Sequence, residues 1–326
     1  MPAKPCPPPL GEARSALFTR AEEALSPDHV ADGSVGSEGP TASGFELATE
    51  ALETLERRLV LQEEVHAQSH VVLRAEGLDC PESADALGTY LTAALAGAVQ
   101  VDIHLADRFL GVSVDRRAVL RQRVERVVRA SNHLTQDSDR HWRDTRRNPW
   151  IAEGIGHLLL FMAGRAATGC LEGRVAALKA LHAQASQQGL DLVAIYELGD
   201  LPVLAIGETK ATHADPSGQL TEATRFFRDI EAHERDGDLV ADVTMLETAL
   251  SDQLRREIGE AFWEKQYTYL PLIVHGTEFD PHVERQLLAG LTVERNHKRL
   301  VVVELPVFYE FFNEVADAMR AAVESW

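Results

Sequence analysis

The residues best equipped for chemistry lie in one stretch, Gly189 to Lys210. Asp191 opens an apolar run, LVAIYEL, and a second run, LPVLAIG, ends in Glu208-Thr209-Lys210. Only Leu198-Gly199-Asp200 separates the dense parts of the two runs, so they read as a β-hairpin. Side chains two apart on a strand share a face, which points Glu208 and Lys210 the same way. If Glu197 pairs with Leu201, Asp191 falls opposite Gly207, and a bulge or a one-residue shift brings it beside Glu208. Two carboxylates at cross-strand distance, roughly 5 Å, repel unless a cation lies between them. Hard oxygen ligands with open positions suit Mg2+ or Mn2+, and the Thr209 carbonyl is a further candidate ligand. An ion there would acidify a bound water and neutralise charge on a scissile phosphate, while Lys210 orients the water and stabilises developing negative charge.

Glu153 joins this set from upstream. It sits in an apolar run, NPWIAEGIGHLLLFM, where a carboxylate is costly without a partner, and the metal or its water would supply one. Glu-x-Lys alone is a weak motif, and a strand-end salt bridge between Glu208 and Lys210 is the competing reading. Two facts weigh against it. The chain has five lysines against twenty-seven arginines, and Lys210 is the only lysine two residues after a glutamate. It also ends an apolar strand, where burial disfavours lysine.

The elements that must position these residues are legible in outline. Phe45–Gln68 has helical leucine spacing, His70–Arg74 reads as a strand, and Ser83–Ala98 as an Ala/Leu helix. Val99–Leu105 alternates with period two and reads as a half-buried strand, with Phe109–Val114 continuing it. Pro149 with Asn148 as cap starts a buried helix reaching about Gly164. Leu171–Gln187 reads as a second helix ended by Gly189. After the hairpin come helices at about Gly218–Glu234, capped by Ser217 or Asp215, and Thr244–Trp263. Strands at Thr268–His275 and Arg299–Leu305 precede a closing helix at Val307–Val323. The expected fold class is α/β. Residues 1–44, rich in Pro, Gly and Ser, form a tail that buries too little to order itself or that folds on a partner. Residues 45–147 form a smaller α+β domain, and residues 148–326 carry the chemistry.

Composition narrows the partners. The 326 residues are 45% hydrophobic, with mean hydropathy −0.16, and no run of eighteen apolar residues suggests a membrane span. The N-terminus lacks a signal-like apolar core, and three distant cysteines (Cys6, Cys80, Cys170) suit a reducing cytoplasm without a disulfide framework. The net charge of −19 repels a phosphate backbone over most of the surface. Acting on nucleic acid therefore needs local positive charge, a bound metal or a delivering partner. Asp115–Arg147 supplies such charge, with ten arginines against five acids. It reads as an amphipathic helix, either a solvated face or a strip for a nucleic-acid backbone. Arg143, Arg146 and Arg147 at its end, and Arg225 on the helix after the hairpin, are the candidate nucleic-acid contacts. Arg225 equally fits helical pairs with Glu222 or Asp229. Trp142 and Trp150 either stack on bases or anchor the domain junction. His66 and His70 read as one face of a surface helix, because the Glu of a zinc-protease motif is missing. His213 and Asp215 suit a loop-and-cap role.

The order of these parts, a helix with Glu153, G-x-D on a strand, E-x-K on its neighbour, then a helix, resembles the PD-(D/E)xK nuclease superfamily. Residues 148–326 more narrowly resemble the HamA nuclease-subunit family of Hachiman anti-phage systems, through Gly189-Leu-Asp191, Ile206-Gly-Glu-Thr-Lys210, Leu270-Pro-Leu-Ile-Val274 and Val301-Val-Val-Glu-Leu-Pro306. Leu190 stands where the superfamily often has proline. The resemblance implies a restriction-endonuclease-like mixed sheet flanked by helices, a catalytic core of Asp191, Glu208 and Lys210 with Glu153 as helix acid, and Mg2+ (or Mn2+). It further implies DNA hydrolysis in antiviral defence, gated by a HamB-like helicase subunit. The alternatives are a non-catalytic interaction or DNA-sensing module on the same fold, and an RNase using the same site. Self-association into a homo-oligomer is left open.

Overall fold

The computed structural model describes residues 44–326 except 65–68, 111–114, 130–135, 166–168, 187–188, 200, 264–266 and 283–284. Residues 1–43 of the expected tail and His66 lie outside the described residues, while Gly44 opens the first helix.

One mixed, seven-stranded sheet organises the chain. Its strands are β1 (Val60–Glu64), β2 (Val71–Glu76), β3 (Arg174–Leu178), β4 (Leu192–Leu198), β5 (Leu201–Thr212), β6 (Thr268–His275) and β7 (Arg299–Glu304). The spatial order is β1-β2-β7-β6-β5-β4-β3. The middle four, β2, β7, β6 and β5, run parallel, and an antiparallel strand or pair completes each edge. β6 is buried along its whole length, as an apolar central parallel strand should be.

Helices cover both faces. One face carries α1 (Gly44–Arg58), α2 (Pro81–Leu110), α3 (Arg116–Val128), α5 (Asn148–Arg165) and α11 (Phe308–Val323), which share a core with Leu192, Ala194, Ala205 and Leu272. α4 (Asp137–Trp142) precedes α5. The other face carries α6 (Pro216–Glu231), α7 (Asp236–Glu247), α8 (Asp252–Arg256), α9 (Glu260–Trp263) and α10 (Arg285–Ala289). Its core draws on Val193, Ile195, Leu204, Ile206 and Ile273. Alternate residues of β4 and β5 thus feed opposite cores, as the pleat requires.

Several local expectations give way to tertiary pairing. The α+β unit expected before residue 148 does not keep a sheet of its own, because β2 pairs with β7. Val99–Leu105 and the described part of Phe109–Val114 continue α2 as helix. Extending an existing helix adds one hydrogen bond per residue fixed, whereas a strand there has no neighbour. The described part of Leu171–Gln187, up to Ser186, forms no helix. Arg174–Leu178 lines the free edge of β4, and Gly173 permits the approach, since a β-carbon there would lie 1.9 Å from the Glu197 carbonyl oxygen. The 244–263 helix is broken into the end of α7, α8 and α9, while α1 stops at Arg58 before β1. Asn148 does not cap α5. It has helical φ/ψ, and its N–H reaches the Arg143 carbonyl across a π-helical turn at Arg143–Arg147. Pro149 has no N–H to give, so the ladder is already interrupted where that wider turn stands. Asp215 is the α6 cap, accepting from Gly218 N at 2.9 Å.

α5 is apolar on every side and correspondingly buried. Its two glycines set how closely it approaches its neighbours. A β-carbon on Gly154 would lie 2.3 Å from Leu91 Cδ2, and one on Gly156 would lie 2.4 Å from Leu192 Cδ1. We expect Gly156→Ala to be destabilising by about 1–2 kcal/mol in urea melts, because overpacking outweighs the gain in helix propensity. A melt at or above the wild-type midpoint would contradict this contact.

Candidate active site

The β4–β5 hairpin has the register that brings the acids together. Leu198 pairs with Leu201 and Leu192 with Gly207, one residue shifted from the simplest expectation. Gly199 turns the chain with φ 64°, a left-handed conformation natural to glycine. Continuing the register sets Asp191 opposite Glu208. Asp191 Oδ2 accepts the Thr209 backbone N–H at 3.0 Å, which locks the carboxylate across the strand end. Glu208 Oε1 lies 2.8 Å from Lys210 Nζ, as residues on one face of a strand can. Glu208 and Thr209 are buried and Lys210 is partly so.

Glu153 arrives from α5. Its Oε1 lies 3.0 Å from His182 Nδ1 and also accepts the His182 backbone N–H at 3.3 Å. Ligand atoms of Glu153, His182 and Asp191 all lie within 4.8 Å of one another. Asp191 is therefore shared by two groups: Glu208 and Lys210 along β5, and Glu153 and His182 beyond the start of β4. His182 sits in the loop between β3 and β4. Trp150 Nε1 donates to its carbonyl at 2.8 Å, and its own Nε2 is buried without a hydrogen-bond partner. Thr209 Oγ1 is likewise buried and unpartnered.

The electrostatics follow from this crowding. Burial first, then the charge of Glu153, pushes the Asp191 carboxyl up to about 6, against the pull of the Thr209 N–H and Lys210. Burial and the charge of Asp191 push Glu208 up to about 7, although Lys210 opposes this. Burial would lower Lys210, but Glu208 and Asp191 outweigh it and hold the ammonium above its ordinary value. Burial would also lower His182, and the hydrogen bond and charge of Glu153 overcome it. The site thus has two carboxyls reluctant to ionise together, an ammonium held charged beside them, and an imidazole whose protonated form Glu153 favours.

All four expected catalytic residues lie within this neighbourhood. The candidate nucleic-acid arginines divide. Arg146 and Arg225 are exposed. Arg143 is half-buried, 2.8 Å from Asp144 Oδ1, with its guanidinium carbon 3.9 Å from the Tyr309 ring centre. Arg147 is fully buried and bonds to Asn148 and Asn313, so it has no solvent-facing group to offer a phosphate. Trp150 is a buried anchor, and Trp142 lies under the Arg129 guanidinium at 4.2 Å. His70 is buried at the start of β2 rather than on a surface helix. His213 stacks on Tyr309, ring centres 5.1 Å apart.

His182 was missed because its segment reads as helix, and neither its spacing nor its neighbours mark a ligand. The signal that was available is distance from Asp191: once 171–186 is known not to be helical, a polar loop leading into Asp191 must pass the site. Neither a family model nor a curated protein sequence matches this chain.

The raised carboxyls have a stability signature. An acid whose folded pKa lies above its unfolded one stabilises the fold through its proton, fully below the unfolded pKa, and loses that contribution as pH rises through the folded value. Without divalent ions, the melting temperature should therefore fall as pH rises from about 4 to about 7, the window that Asp191 and Glu208 span. Glu208→Gln should flatten that slope. A slope identical to wild type would show that Glu208 is ordinary in the folded chain.

Proposed function

We propose that the protein is a divalent-metal-dependent nuclease that hydrolyses phosphodiester bonds. The observation that carries this reading is the convergence of Asp191, Glu208, Lys210 and Glu153, from a helix and two strands, at one end of a buried hairpin. Burying that much acid is unfavourable unless a cation completes the site. The donor set fits such an ion. Ligand atoms of Glu153, His182 and Asp191 lie within 4.8 Å of one another, the Asp191 and Glu208 carboxyls are destabilised as anions, and a buried imidazole nitrogen and a threonine hydroxyl have no partner.

Asp191, Glu153 and His182 would hold the metal, and Glu208, opposite Asp191 on β5, and the Thr209 carbonyl are further candidates from the other side of Asp191. When bound, the ion supplies Lewis-acid polarisation of a phosphoryl oxygen and a water acidic enough to attack phosphorus. The protein's own groups do the rest. Glu153 fixes the imidazole plane of His182. Thr209 N–H holds Asp191 in place. Lys210 stays protonated beside Glu208 and is placed to stabilise negative charge building on the phosphate. The mixed carboxylate and imidazole set favours Mn2+ over Mg2+ in affinity.

DNA as substrate, an anti-phage setting and a helicase gate rest on the likeness to PD-(D/E)xK and HamA-type nucleases. The net charge of −19 supports delivery by a partner, since the free chain repels a nucleic acid over most of its surface. One observation favours the non-catalytic alternative: Lys210 already partners Glu208 in an ion pair, a strand-end role that needs no chemistry.

The test offers plasmid, linear DNA and RNA to the purified chain with Mg2+ or Mn2+, alone and with a helicase encoded beside it. Glu208→Ala and Lys210→Ala should each lower the cleavage rate by about 100-fold or more, the scale of losing a main electrostatic group. Full activity in Glu208→Ala would remove the site assignment. Calorimetry should show Mn2+ affinity falling about 10-fold or more in His182→Ala, and an unchanged value would take His182 out of the ligand set.

A further inference from the structure

We propose that Lys179 is a positioning residue that closes the loop carrying both His182 and Asp191. The proposal deepens the nuclease reading and rests on it for its catalytic consequence.

Lys179 follows β3 directly. Its backbone N–H donates to the Val193 carbonyl at 2.8 Å. Its Nζ donates to the Leu190 carbonyl at 2.8 Å and lies 2.9 Å from Asp242 Oδ2 on α7. The side chain therefore reaches across the base of the loop to the residue immediately before Asp191. Lys179 and Asp242 are each only 19% exposed, so solvent substitutes poorly for either partner.

Two members of the Glu153–His182–Asp191 group are thus referred to one residue, and the third meets them through His182. Asp191 is held through the Leu190 carbonyl, and His182, which makes both contacts to Glu153, lies three residues along the chain. Between β3 and β4 the described loop residues form no helix or strand, so polar ties rather than a backbone ladder fix their path. Lysine suits the post because one ammonium can serve a carbonyl and a carboxylate at once. Removing it strands the Asp242 carboxylate and the Leu190 carbonyl in a partly buried place. Asp191 would then be free to drift from Thr209 while the sheet beneath stays intact.

The Thr209 amide reports on this without any metal, because its hydrogen bond goes to the Asp191 carboxylate. In the metal-free full chain, Lys179→Met should speed hydrogen exchange at Thr209 by about 10-fold or more relative to β6 and β7 amides such as Ile273 and Val301, the effect of losing one charge-assisted hydrogen bond. Lys179→Arg should restore most of the protection. Asp242→Asn, a milder change, should show the same pattern at smaller size. Leu254→Ala, a buried change on α8, should raise exchange broadly and leave Mn2+ affinity alone, whereas Lys179→Met should weaken Mn2+ binding. Thr209 exchange that stays at the wild-type rate, or that rises only in step with β6 and β7, in Lys179→Met or Asp242→Asn would overturn the proposal. A wild-type chain that binds no Mn2+ but shows the selective Thr209 response would instead remove the metal reading and leave the positioning role standing.

Discussion

The β4–β5 register forces Asp191 against Glu208, and much of the surrounding structure answers the repulsion this creates. The hairpin could not relieve it by slipping. A one-residue slip would send either Val193 and Ile195 or Leu204 and Ile206 to the wrong core, and each of them is buried where it stands. The acids are therefore held by the hydrophobic alternation of their own strands. Lys210 offsets part of the repulsion, the Thr209 N–H another part, and both carboxyls still lie above their ordinary range.

That arrangement spans both sides of the sheet. Glu208 and Lys210 share the alternation of Leu204 and Ile206, which pack under α6 and α7. Glu153 comes from α5, whose Gly156 packs on Leu192 and Thr209 from the other side. Asp191 stands where β4 begins, so it is within reach of both groups. A helix on one face and a strand end on the other can meet only at such an edge. The apolar body of α5 keeps Glu153 buried, and Gly156 lets the helix lie close against the sheet beside Leu192 and Thr209.

Charge distribution bears on how a polyanion could approach. Arg146 and Arg225 present free guanidinium surface, while Arg143 is engaged by Asp144 and Tyr309. Arg147 instead ties the π-helical turn before α5 to Asn313 of α11. Part of the arginine-rich segment is thus structural, joining the turn that leads into the Glu153 helix to the closing helix α11. Among the described residues no helix is long and apolar enough to cross a membrane.

The sequence by itself determined the hairpin, the common face of Glu208 and Lys210, the buried helix with Glu153 and the central strands. These depend on periodicity within one segment, where pleat and helical pitch dictate which side chains share a side. Tertiary structure alone decided that β2 joins β7, that Arg174–Leu178 is a strand, that Arg147 is buried, and that His182 and Lys179 belong beside Asp191. Each of these follows from pairing between segments far apart in the chain. A free strand edge recruits a partner against its helical propensity, and a loop residue gains a role only from what the fold sets next to it. Local composition carries no record of such neighbours.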